Sequence, residues 1–100
     1  MARAQAADDD AARELELYAE NDHKLYQQRA PFLENMRKKM AKGKYDPAKG
    51  VKLWEYYVER AARQYTKEFG SGRSPIFSPA TRRIVAKRFE EEARRELRGR

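Results

Sequence analysis

The sequence predicts an all-α fold, a small helical bundle of three main helices plus a short N-terminal helix. Apolar residues recur at three- and four-residue spacing through three separate stretches, the longest running from Val51 to Phe69, and nowhere does apolar and polar alternate as in a strand. Proline and glycine also fall where helices begin and end. Pro47 follows Asp46 and Pro79 follows Ser78, each a capping residue before a first helical position whose missing N–H costs nothing. Gly43 and Gly70 stand just beyond the last apolar residue of a stretch, where a left-handed residue closes a helix.

Residues 1–9 are rich in alanine and aspartate and have no apolar period, which predicts a disordered acidic tail ahead of a single helical domain over 10–98. A short helix is expected from Asp10, as cap, to about Glu20, carrying Leu15, Leu17 and Tyr18. Asn21-Asp22 offers a turn or a fresh cap. From His23 to Lys42 the pattern is helical except at Pro31, which either kinks the helix or starts a new one. Phe32, Leu33, Met36 and Met40 form its stripe. In the long helix the stripe is Val51, Trp54, Val58, Ala61, Ala62, Tyr65 and Phe69. In the last it is Val85, Phe89, Ala93 and Leu97, flanked by Ile84. Ile76 and Phe77, at the end of the intervening loop, are expected to plug one end of the bundle.

Composition narrows the setting. A chain of 100 residues makes one domain, and with 39% charged against 40% hydrophobic residues its core is lean. The absence of cysteine removes disulfides and thiolate metal sites. No apolar run approaches the roughly 18 residues of a membrane span, and the amino terminus lacks the apolar stretch of a secretory signal. The expected address is the cytoplasm, with no membrane partner.

Leu17-Tyr18, Asn21-Asp22, Leu25-Tyr26, Pro31, Asn35, the run Lys42 to Asp46, the run Lys52 to Tyr56 and the run Tyr65 to Gly70 together resemble functionally uncharacterised accessory proteins of tailed bacteriophages and related mobile elements. The similarity covers roughly residues 17–97, with Tyr45-Asp46 and Lys67-Glu68-Phe69-Gly70 its most recognisable parts. It implies a protein that acts early in infection or in packaging, in the host bacterial cytoplasm, and it implies no mechanism.

Catalytic parts are missing. His23 is the only histidine, and its neighbours Asp22 and Lys24 point away from it on a helix, so it reads as a solvated surface residue rather than a general base. Asp8-Asp9-Asp10 lacks the ligand spacing of a calcium loop, and Gly70-Ser71-Gly72 is too short to cradle a phosphate. The sequence predicts no enzyme, no cofactor and no metal site. Glu59 with Arg63, Lys87 with Glu91, Glu90 with Arg94 and Glu91 with Arg95 stand at i,i+4 and read as solvated helical surface.

The net charge of +7 favours an acidic partner. Residues 1–22 set Arg3 and Arg13 against seven acids, whereas 23–45 set seven bases against Glu34 alone. Arg37, Lys38, Lys39, Lys42 and Lys44 suit the negative end of a helix dipole. Arg82 and Arg83 do not, because they stand near the positive end, where acids are preferred, and Lys87 repels Arg83 across one turn. Tyr56 falls off the apolar stripe and is expected to be an exposed contact residue. The expected partner-binding residues are therefore Arg73, Arg82, Arg83, Lys87, Arg37, Lys38, Lys42 and Tyr56. Their expected partner is an acidic protein surface or a nucleoprotein complex. The alternatives are nucleic acid on a basic helical face and a second copy of the chain in a homodimer. The long loop between the last two helices does not match the tight turn of a helix-turn-helix.

Overall fold

A computed structural model describes residues 2–69 and 78–99. It is all-α there, with α1 (Ala2–Asn21), α2 (His23–Gln27), α3 (Ala30–Ala41), α4 (Pro47–Phe69) and α5 (Pro79–Arg98). The capping signals act as the sequence predicts. The Asp22 carboxylate accepts from Leu25 N–H at 2.9 Å, Asp46 from Ala48 N–H at 3.0 Å, and Ser78 from Thr81 N–H at 3.1 Å. Pro31 sits in the first turn of α3, so it starts a new helix rather than kinking an old one. Gly43 closes α3 at φ +68, with Gly43 N–H on Met40 O and Lys44 N–H on Lys39 O, both at 3.0 Å. That pair of bonds is a Schellman cap, and its left-handed residue is favourable only for glycine or asparagine.

The leading helix differs most from expectation. It begins at Ala2 rather than near Asp10, so residues 2–9, read from the sequence as a disordered tail, continue the helix. At 20 residues α1 is one of the long helices, not a short one. Its buried side chains are Ala11, Ala12, Leu15 and Ala19, mostly too small to give an apolar signal. They let α1 lie close against α5.

Helices α4 and α5 pack most extensively and run in opposite directions, since Arg83 meets Glu55 while Glu90 meets Tyr45. Between them Trp54, Tyr57 and Phe89 are fully buried, and Phe32 of α3 stacks on Trp54 at a centroid distance of 5.2 Å. The Trp54–Tyr57 and Tyr57–Phe89 pairs are edge-on at 5.5 and 5.7 Å, the favoured geometry for aromatic quadrupoles. Each polar handle has a partner. Trp54 Nε1–H points to Met36 Sδ at 3.2 Å, and the Tyr57 hydroxyl donates to Leu25 O at 2.6 Å, fixing α2 on the core. Two expectations are corrected here. Tyr57, not assigned to the stripe, belongs to it, and Phe69, assigned to it, is 48% exposed, with the Tyr18 and Tyr65 rings against it among the described residues. Ile76 and Phe77 lie outside the described residues.

Two charged residues enter this core. The Arg29 guanidinium lies 4.9 Å from the Phe89 ring centroid, with the Tyr26 and Trp54 rings at 5.5 and 5.8 Å. Its Nε is buried without a hydrogen-bond partner among the described residues, so ring faces stand in for part of its solvation. Glu90 is 2% exposed and accepts from the Tyr45 hydroxyl at 2.7 Å and from Arg94 Nε at 3.1 Å. The Glu90–Arg94 pair is thus a buried contact, not the solvated surface pair its spacing suggests. Burial and the Glu90 carboxylate together push the Tyr45 hydroxyl far above its ordinary range.

Replacing Trp54 with alanine is expected to cost about 3–5 kcal/mol, enough to unfold a lean domain, as read by chemical denaturation followed by circular dichroism. A sharper test is Gly50→Ala. Helix propensity alone favours alanine by about 1 kcal/mol. Here a methyl on Gly50 overlaps the Tyr45 phenol, so the expected result is a lower melting temperature as Tyr45 is driven off Glu90. A higher one would show that the Tyr45 ring is not held there.

Candidate binding surfaces

The expected contact residues fall into two places. The first is a cleft of about 390 Å³ between α4 and α5, lined by Lys52, Glu55, Tyr56, Glu59, Pro79, Arg82 and Arg83. Tyr56, Arg82 and Arg83, which lie up to 27 positions apart in sequence, meet here because the two helices run in opposite directions. Tyr56 is 66% exposed, as its departure from the stripe predicts. Its neighbour Tyr57 points into the core, so a rotation of about 100° per residue separates the anchor from the contact residue.

Arg83 is not spare. Its Nε lies 3.4 Å from Glu55 Oε1, an acid supplied by the facing helix rather than by i+4. Arg83 is exposed and Glu55 half-buried, so solvent screens the pair, it adds at most about 1 kcal/mol, and the guanidinium is free to exchange partners. Arg82, half-buried, has no ion pair among the described residues, and neither does exposed Lys87 one turn beyond Arg83. Lys87 and Glu91, and Glu91 and Arg95, do not pair as their spacing suggests, whereas Arg63 meets Glu59 at 2.8 Å. Arg73 lies outside the described residues.

The second place is the end of α3 and the turn into α4. Arg37 is engaged with Glu34, its Nη2 lying 2.6 Å from Oε1, and this contact holds the Glu34 carboxyl below its usual range. That pairing removes Arg37 from the set of free cations. Lys38 is exposed. Lys42 lines a cleft of about 350 Å³ with Lys39, Lys44, Tyr45, Lys49 and Leu53 among its walls. Lys49 went unremarked in the sequence, although its position in the first turn of α4 is as unfavourable for a cation as that of Arg82 in α5.

Sequence reading also missed a group of carboxylates between α1 and α5. Oxygens of Glu16, Glu20 and Glu92 lie within 4.8 Å of one another. Arg88 reaches Glu16 at 3.3 Å and Arg29 reaches Glu92 at 4.0 Å, so the protein supplies its own counter-charges. Nothing about the group selects a metal. His23 is exposed and has no acid oriented toward it, so the described residues assemble no acid–base pair around it.

Comparison of the chain with protein-family models, curated proteins and solved structures finds no match. Among the described residues, no helix is long and apolar enough to cross a membrane.

Glu20 offers a pH test of this part of the fold. Burial raises its carboxyl above the usual range, and Glu92 and Glu16 add to the effect. A carboxyl raised in the folded state favours folding when protonated, and that contribution is lost as pH rises through its folded value. Glu20→Gln should therefore raise the melting temperature at pH 7, and the gain should vanish on acidification toward about pH 4, near the ordinary value of a glutamate. An equal gain at both pH values would contradict the coupling.

Proposed function

We propose that this chain is a non-catalytic accessory protein that binds an acidic surface of a host or phage macromolecule through the α4–α5 cleft. The preferred target is a protein, alone or within a nucleoprotein complex. One observation carries the reading. An exposed tyrosine sits beside Arg82, Arg83 and Lys52, in a groove also bordered by Glu55 and Glu59. Tyrosine and arginine are the residues enriched at protein interfaces, where an aromatic body buries area and a guanidinium grips a carboxylate. The two glutamates favour a protein over bare phosphate, since they repel a phosphate backbone but can meet a partner's lysines or arginines. The resemblance to phage accessory proteins adds a setting, the host bacterial cytoplasm, and in that setting the role we propose is modulation of host machinery such as a defence complex.

The test is capture from host lysate treated with nuclease, by wild type and by two variants. Tyr56→Ala and Arg82→Glu should each abolish capture of whatever protein the wild type retains. Folding should survive both. Tyr56 is exposed, and an acid at position 82 complements the start of α5, with an expected gain of about 0.3–1 kcal/mol. Normal capture by both variants contradicts the assignment of this cleft. Sedimentation of the purified chain shows whether a second copy is the occupant instead.

A further inference from the structure

We infer that the α3–α4 turn is a second binding surface, one that holds the phosphate backbone of a nucleic acid. It uses residues other than those of the cleft and goes beyond the protein partner proposed above. Lys38, Lys39, Lys42, Lys44 and Lys49 are all exposed, and none forms an ion pair among the described residues. The acids within reach are already engaged. Glu34 binds Arg37 in a two-point contact, and Asp46 accepts the Ala48 N–H as the cap of α4.

The helix dipole explains part of this charge and fails for the rest. Lys38 and Lys39 lie in the last turn of α3 and Lys42 is its C-cap, where cations are favoured. Lys44 lies beyond that helix, past the Schellman cap. Lys49 is the third residue of α4, at the positive end of the next dipole. The two helix termini thus meet at one turn, and cations stand on both sides of it, although only one side prefers them. The Schellman cap and the Asp46 cap fix the backbone there, so the lysines project from a rigid turn.

The residue type narrows the ligand. Every free cation here is lysine, a flexible point charge that neutralises phosphates without demanding a planar partner, whereas carboxylate recognition favours the arginine fork. No aromatic side chain among those lining this cleft is fully exposed. Tyr45 is turned inward to Glu90, so base stacking is not part of the surface. What remains is sequence-independent attraction to a dense polyanion, driven by release of its counterions. On α4, Lys49 and Lys52 stand at i,i+3 and are neighbours on one face, which brings the turn and the cleft side by side. A nucleoprotein can therefore lie across both.

The test is fluorescence anisotropy of the full chain with a short random-sequence DNA duplex across a salt series. Four lysines line the cleft, so the log–log salt slope should lie near about −3 to −4, from about −0.9 per phosphate contact. Lys44→Glu together with Lys49→Glu should weaken binding by about tenfold or more and flatten the slope by about 2. The helical spectrum should persist, since an acid at position 49 suits the start of α4. The same double variant should still capture its protein partner from nuclease-treated lysate, where Arg82→Glu does not, so the two surfaces fail separately. A wild-type slope shallower than about −1, an unchanged slope in the double variant, or equal competition by polyglutamate overturns the inference.

Discussion

Trp54, Tyr57 and Phe89 form a mutually packed aromatic unit at the centre of the molecule, with Tyr57 edge-on to both of the other rings and Trp54 tilted against Phe89, and the positions of four of the five helices follow from it. Helix α3 is fixed by Phe32 stacking on Trp54 and by Met36 beneath the indole N–H. Helix α2 is fixed by the Tyr57 hydroxyl on Leu25 O, and α4 and α5 by the rings themselves. Rings suit a lean core because each buries a large area at a small cost in rotamer entropy. The same rings accept Arg29, so a residue that elsewhere needs water or a carboxylate sits 13% exposed with its nearest acid, Glu92, at 4.0 Å. A chain with nearly as many charged as hydrophobic residues can build a packed interior this way without disulfides or metal.

A small core has a consequence for the surface. Most of the charged side chains must lie outside, and their pairing shows which of them the fold uses. Arginines at positions 29, 37, 63, 83, 88 and 94 each meet an acid. The lysines of the α3–α4 turn meet none among the described residues. Cations placed at helix starts, Lys49 on α4 and Arg82 on α5, oppose the local dipole and lower stability slightly. Selection for folding alone favours acids there, so these two positions carry more information about binding than the net charge of the chain.

Local signals were legible wherever one residue decides the outcome. Asp46, Ser78, Gly43 and Pro31 set helix ends through their own backbone or side-chain chemistry, and the burial of Trp54 and exposure of Tyr56 follow from helical periodicity. Tyr57 was readable too, three residues after Trp54 and four before Ala61, but an adjacent tyrosine obscured it. The second half of α1 was readable from Asp10 to Glu20, but its extension back to Ala2 was not, since alanine marks a helix without marking a face. Nor was the burial of Glu90, because its cause, Tyr45, lies 45 residues away and the Arg94 spacing imitates a surface pair. Likewise the Glu55 partner of Arg83 exists only once two helices pack, and the same packing gathers Tyr56, Arg82 and Arg83 into one cleft.

In the binding mode we propose, the partner contacts the exposed face formed by the start of α4, the start of α5 and the turn before α4, while the aromatic unit only positions that face. Hydrogen–deuterium exchange with and without a captured partner tests it most directly. New protection is expected over residues 42–59 and 79–87, with no change in α1. Protection centred on α1 and the outer face of α5, with the first turns of α4 and α5 unchanged, would contradict it.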